Sequence, residues 1–157
     1  MRGQRHIKKP KLVLDSHYHD PIISKFINKV MWDGKKSVAE DIVYSSLERL
    51  AKERGTEAPV LLRDIIEKAS PILEVRSRRV GGATYQVPME VKPARKVVLV
   101  MRWLLEISRK QKGKDMSTAL YEEMKNILDN TGNVMKKRED LHKMAEANRA
   151  FAHFARY

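Results

Sequence analysis

The chain has 157 residues, with 32 Lys and Arg against 20 Asp and Glu, a net charge of +12 and a pI near 10.0. It has no cysteine, which excludes a disulfide framework and thiolate chemistry, and no apolar run approaches the length of a bilayer span. The length predicts one domain, over 1–157, able to hold a core, and the charge predicts a polyanionic partner, nucleic acid before acidic membrane.

Residues 2–11 hold Arg2, Arg5, Lys8, Lys9 and Lys11 and no acid, which predicts a basic N-terminal arm over 1–14. No apolar h-region follows this basic start, so it does not read as a secretory signal. Asp20-Pro21 then signals a first helix, a cap followed by proline at the first helical position. Ile22, Ile23, Phe26, Ile27, Val30 and Met31 recur at helical spacing until Asp33-Gly34. Ser37-x-x-Glu40 reads as a capping box for a second helix with Val38, Ile42, Val43, Leu47 and Leu50 inward and Gly55 as its stop. A third helix runs from near Thr56 to Ala69, ended by Pro71.

The period then changes to two. Leu73 to Arg78 and Thr84 to Val91 alternate on either side of Gly81-Gly82, which predicts a β-ribbon over 73–91. A two-residue glycine loop would pair Val80 with Ala83 and set Arg76 across from Val87. An odd loop or bulge would pair Ser77 with Val87 and Val75 with Met89, gathering polar residues on the other face. Since a one-residue slip swaps faces, the pattern favours the odd loop or bulge. Arg76, Arg78 and Arg79 suit phosphate, because the guanidinium fork binds it bidentately.

After Pro93 a fourth helix carries Val97, Val98, Met101, Leu104 and Leu105 and ends at Gly113. A fifth starts around Asp115–Ser117 and ends at Gly132; a sixth begins near Asn133 with Val134, Leu141, Met144 and Ala145, and helical spacing enters the tail at 149–157. The fold class is therefore mainly α: about six helices with a protruding two-stranded ribbon between helices three and four.

Basic clusters recur at Lys35-Lys36, along helix four (Lys92, Arg95, Lys96, Arg102, Arg109, Lys110, Lys112) and on helix six (Lys136, Lys137, Arg138, Lys143). One cluster alone reads as a solvated face; four with an arm point to nucleic acid. Asp15-x-His17-x-His19-Asp20 fits a polar loop before a helix cap better than a metal site, having neither HExxH nor a cysteine partner. Trp32, Trp103 and most of the eight methionines read as core. No phosphate loop, nucleophile arrangement or carboxylate pair is present, so the chain reads as no enzyme and implies no cofactor.

Three blocks, "WDGKKSVAEDIVYSSLE", "EVRSRRVGGATYQVPMEV" and "KKREDLHKMAEANRAFAHF", resemble the bacterial-type small-subunit ribosomal protein seven family. The likeness runs from about residue 15 to the C-terminus, and the length fits the bacterial and organellar form. It implies a structural component of the small ribosomal subunit, on a cytoplasmic or organellar ribosome. Such a protein binds the 3′ major domain of small-subunit rRNA, nucleates head assembly and lies near the tRNA exit site. It also implies contact with ribosomal protein eleven of the small subunit and binding of the operon's own messenger. Carried onto this chain, the rRNA-contacting positions become Arg2, Arg5, Lys8, Lys9, Lys35, Lys36, Arg76, Arg78, Arg79, Lys92, Arg95, Arg102, Arg109 and Lys110. Gly81, Gly82, Lys143, Arg149 and the tail fall near exit-site tRNA. The competing reading is a helical DNA- or RNA-binding regulator with a β wing, which the absence of a tight helix-turn-helix opposes.

Overall fold

A computed structural model describes residues 13–156; Arg2, Arg5, Lys8 and Lys9 lie outside the described residues. The elements are α1 (Pro21–Val30), α2 (Lys36–Arg54), α3 (Ala58–Ala69), β1 (Leu73–Val80), β2 (Ala83–Glu90), α4 (Pro93–Lys110), α5 (Met116–Leu128) and α6 (Gly132–Ala147). A C-terminal 3₁₀ helix, Arg149–Arg156, follows.

Local chemistry accounts for most boundaries. Asp20 caps α1 by accepting from the backbone N–H groups of Ile22 (2.6 Å) and Ile23 (3.3 Å), with Pro21 at the first position. The Asp15 carboxylate in turn accepts from the N–H of Tyr18 (2.7 Å) and of Asp20 (3.0 Å), so the acids of the histidine-containing loop serve as turn and cap. Gly55 ends α2 in the left-handed region and donates to Ala51 O at 2.8 Å. Asp115 caps α5 through Thr118 N–H. Several boundaries differ from the sequence pattern: the first helix stops at Val30, before Asp33-Gly34, and the fourth at Lys110, before Gly113. The second helix begins at Lys36, with Lys35 as its cap and no capping box, so Ser37 sits inside the first turn. A turn closed by Lys35 N–H to Trp32 O (3.0 Å) delivers the chain into the helix before Ser37 is reached. The fifth helix stops at Leu128 rather than Gly132, where Thr131 N–H turns back to Asn126 O at 2.8 Å.

The six α-helices share one core. Phe26 and Ile27 of α1, Leu47 and Leu50 of α2, Leu62 and Ile65 of α3, Met101 and Leu104 of α4, Leu120 and Met124 of α5, and Val134 and Met135 of α6 are buried together. Trp103 joins them, but Trp32, expected inside, is 65% exposed; Val38 and Met144 also face outward. Trp32 lies in the turn after α1, with the Arg109 side chain of α4 over its ring.

The ribbon is a single antiparallel pair in the register Val80↔Ala83, Ser77↔Gln86, Arg76↔Val87 and Leu73↔Glu90. The expected odd loop is therefore wrong: Gly81 and Gly82 form a two-residue turn with φ of 56° and 90°. Positive φ at both central residues is what the favoured tight hairpin turn needs. Face matching could not override it, because Val87 and Pro88 are both buried although they point to opposite faces. With no single buried face at the ribbon's base, turn geometry decides the pairing.

Candidate nucleic-acid interface

Cross-strand partners share a face, so Glu74, Arg76, Arg78 and Val80 lie with Met89, Val87, Tyr85 and Ala83. The Glu74 carboxylate is buried and joins the ribbon to α4. Its Oε1 accepts from Arg76 Nε at 2.7 Å and its Oε2 from Arg95 Nε at 3.4 Å. The two guanidinium groups remain partly exposed around it. Glu74 thus sets where two of the candidate arginines sit. Further out on the same face the Tyr85 ring meets Phe151 and Phe154 of the 3₁₀ helix, with centroids 5.2 and 5.0 Å apart. The tail is therefore folded against the ribbon, which the sequence pattern did not predict.

The helices differ in charge. Helices α1 and α4 carry Lys25, Lys29, Arg95, Lys96, Arg102, Arg109 and Lys110 against one acid, Glu106. Helices α2, α3, α5 and α6 together carry as many acids as cations. Glu106 accepts from Lys137 Nζ (2.6 Å) and Lys110 Nζ (3.0 Å), and these ammonium groups hold its carboxyl down at about 2. It stays ionised but is already matched. Helices α1 and α4 pack against each other, and two depressions run between them. One is lined by Lys25, Asn28, Lys29, Ala94 and Met101. The other, of about 680 Å³, is lined by Asn28, Lys29, Trp32, Arg102, Glu106 and Arg109 among others. Since they share Asn28 and Lys29, they form one basic groove along α4.

Of the predicted residues, Arg102, Arg109 and Lys110 line this groove. Lys92 caps α4 at the ribbon's base, and Arg76, Arg78 and Arg79 stand on β1. Lys35 and Lys36 are exposed at the start of α2, with Lys36 3.6 Å from Glu40. Gly81 and Gly82 form the ribbon tip. Lys143 lies exposed near the end of α6, and Arg149 opens the 3₁₀ helix 3.4 Å from Glu146. Both of these helices pack against the ribbon. Lys25, Lys29 and Trp32 were missed. Lys25 and Lys29 lie four apart on α1 opposite its apolar face, and helical spacing carried past the helix end reaches Trp32, a signal readable in the sequence. Among the described residues no cluster of three or more potential metal-ligating His, Cys, Asp or Glu side chains occurs, and no helix is long and apolar enough to cross a membrane.

Comparison with known proteins agrees with this geometry. The sequence model of the family described as "Ribosomal protein S7p/S5e" matches residues 2–149. The small ribosomal subunit protein uS7 of Fervidobacterium nodosum is 50% identical over 155 residues, covering 98% of this chain and 99% of that protein. That of Thermosipho melanesiensis is 55% identical over 145 residues, 92% and 93% of the two chains. The corresponding Shewanella amazonensis protein is 47% identical over 154 residues, 98% and 99%.

Proposed function

The chain belongs to the ribosomal protein S7p/S5e family, and from that premise we propose that it is a structural, non-catalytic component of the small ribosomal subunit. It binds the 3′ major domain of small-subunit rRNA directly, through the α1/α4 groove, the Lys35-Lys36 turn and the ribbon. By doing so it holds that RNA in the shape from which the subunit's head assembles. The observation that carries this reading is the concentration of unbalanced positive charge on α1 and α4 while the other four helices are neutral in sum. Phosphates take up that charge, and sequence-independent neutralisation dominates RNA affinity. Specificity comes from RNA shape and unpaired bases, since the deep groove of an A-form helix admits no side chains.

The ribbon tip at Gly81-Gly82, with Lys143 and Arg149, lies near exit-site tRNA, and the protein neighbours ribosomal protein eleven of the small subunit. The rRNA surface also serves for the operon's own messenger. The deciding experiment is binding of the purified chain to a 3′ major-domain fragment with excess tRNA as competitor, at two salt concentrations. Tight binding that survives the competitor is the expected result. Binding erased by the competitor would leave only nonspecific attraction and overturn the assignment of that RNA domain.

A further inference from the structure

Trp32 occupies an unusual position. It stands just beyond Met31, the cap of α1, and is 65% exposed, whereas Trp103 is 9% exposed in the core. Its ring is nonetheless held. The Arg109 guanidinium lies 4.9 Å from the ring centroid and also donates to Val30 O at 3.3 Å. The turn that starts at Trp32 is closed by Lys35 N–H at 3.0 Å. The indole thus walls one end of the basic groove, backed by a cation. The depression that Trp32 lines, of about 680 Å³, lies within the roughly 300–1,000 Å³ usual for sites that take small molecules. Among its cations, Lys110 is matched to Glu106, while Lys29 and Arg102 have no ion-pair partner among the described residues.

We propose that Trp32 is a stacking platform for an unpaired nucleobase of RNA, with the flanking phosphates held by Lys29 and Arg102. An aromatic face beside unmatched cations is how single-stranded nucleic acid is gripped, because every base has a π-face and every linkage a charge. A protein partner fits this place less well, since lysines such as Lys29 and Lys110 are depleted at protein interfaces. The proposal rests on the RNA-binding reading and deepens it by naming which nucleotides, the unpaired ones, this part of the surface takes.

The test uses the full chain, its Trp32→Ala and Trp32→Tyr variants, and indole emission. Trp103 is shielded, so the difference between wild type and Trp32→Ala reports position 32. Two probes are titrated: the 3′ major-domain rRNA fragment and a short oligoadenylate at low salt. Emission from Trp32 is expected to change with both. Trp32→Ala is expected to weaken fragment binding about fivefold or more, and Trp32→Tyr to restore most of it. Unchanged emission at saturation with the fragment, or Trp32→Ala binding within about twofold of wild type, overturns the proposal and leaves the ribosomal reading intact. If the wild type does not bind the fragment, the ribosomal reading falls instead. The oligoadenylate then decides: a change in Trp32 emission supports stacking, and none refutes it.

Discussion

Replacing Arg79 and Arg102 together by glutamine tests the interface most directly. Both side chains are exposed, they stand on the ribbon and on α4, and neither takes part in an ion pair among the described residues. Their loss should therefore leave helicity and thermal stability unchanged. Each cation that neutralises a phosphate contributes roughly 0.7–0.9 to the slope of log affinity against log salt. Two lost contacts should flatten that slope by about 1.6. Over a fourfold rise in salt, the variant should then lose about tenfold less affinity than the wild type, while binding more weakly at the low-salt end. Filter binding to the 3′ major-domain fragment at a series of salt concentrations measures both quantities. A weaker variant with an unchanged slope would mean that these arginines do not meet phosphate, and the charge argument for the groove and the ribbon would fail with it.

Glu74→Ala should loosen the ribbon, because it removes the acceptor shared by Arg76 and Arg95. Both arginines can re-solvate, so the cost should be about 1–2 kcal/mol, below that of breaking a fully buried pair. Faster amide exchange in β1 and β2, with the helices unaffected, is the expected result; unchanged protection would show that the carboxylate does not set the ribbon's position. Gly82→Val places a β-branched residue at φ 90° with open space around it, so backbone strain alone should lower stability by about 1–3 kcal/mol; an unchanged melting temperature would contradict the glycine turn. Burial raises the Glu123 carboxyl above the ordinary range, and the hydrogen bond from Gln111 at 3.1 Å only partly opposes it. The folded state therefore binds this proton more tightly than the unfolded chain. Glu123's contribution to stability is full below the ordinary glutamate range and declines as pH rises through its raised folded-state value. Glu123→Gln should remove that decline, and melting curves from acid to neutral pH that keep the same slope would refute it.

The legibility of this fold followed from how local each cause is. Asp20-Pro21, Gly55, Pro93 and Asp115 act within one turn of chain, and the structure uses each of them as helix start or stop. The glycine pair announced a hairpin for the same reason. Its register was misjudged because facial matching presumes that one face is buried and the other wet. Here Val87 and Pro88, on opposite faces, are both buried, so both faces are partly covered, with α6 packed on β1 and the 3₁₀ helix on β2. Those contacts join residues far apart in sequence, and nothing in "RAFAHFAR" names Tyr85 as its partner. In the candidate site, positive charge was visible residue by residue. The groove was not, because it needs α1 beside α4, and the apolar stripe of α1 drew attention away from Lys25 and Lys29 on its outer side. Trp32 was lost to a sound general rule, that tryptophan is mostly buried.

A two-stranded ribbon has little stability alone, and an arginine on a mobile arm loses much of its advantage to ordering entropy. This molecule removes that cost at two places before any RNA arrives. At the base, Glu74 draws Arg76 of the ribbon and Arg95 of α4 onto one buried carboxylate. Further out, Tyr85 rests against Phe151 and Phe154, and aromatic contacts of this kind contribute about 0.5–1.5 kcal/mol each beyond their buried area. The ribbon is thereby tied both to the helix that lines the groove and to the tail. The acid in the middle of the arginines, which looks opposed to RNA binding when charges are only counted, is what fixes the direction of the positive groups around it. Rigid placement of cations favours one RNA shape over others, whereas the same charges on a loose hairpin would favour all RNA alike.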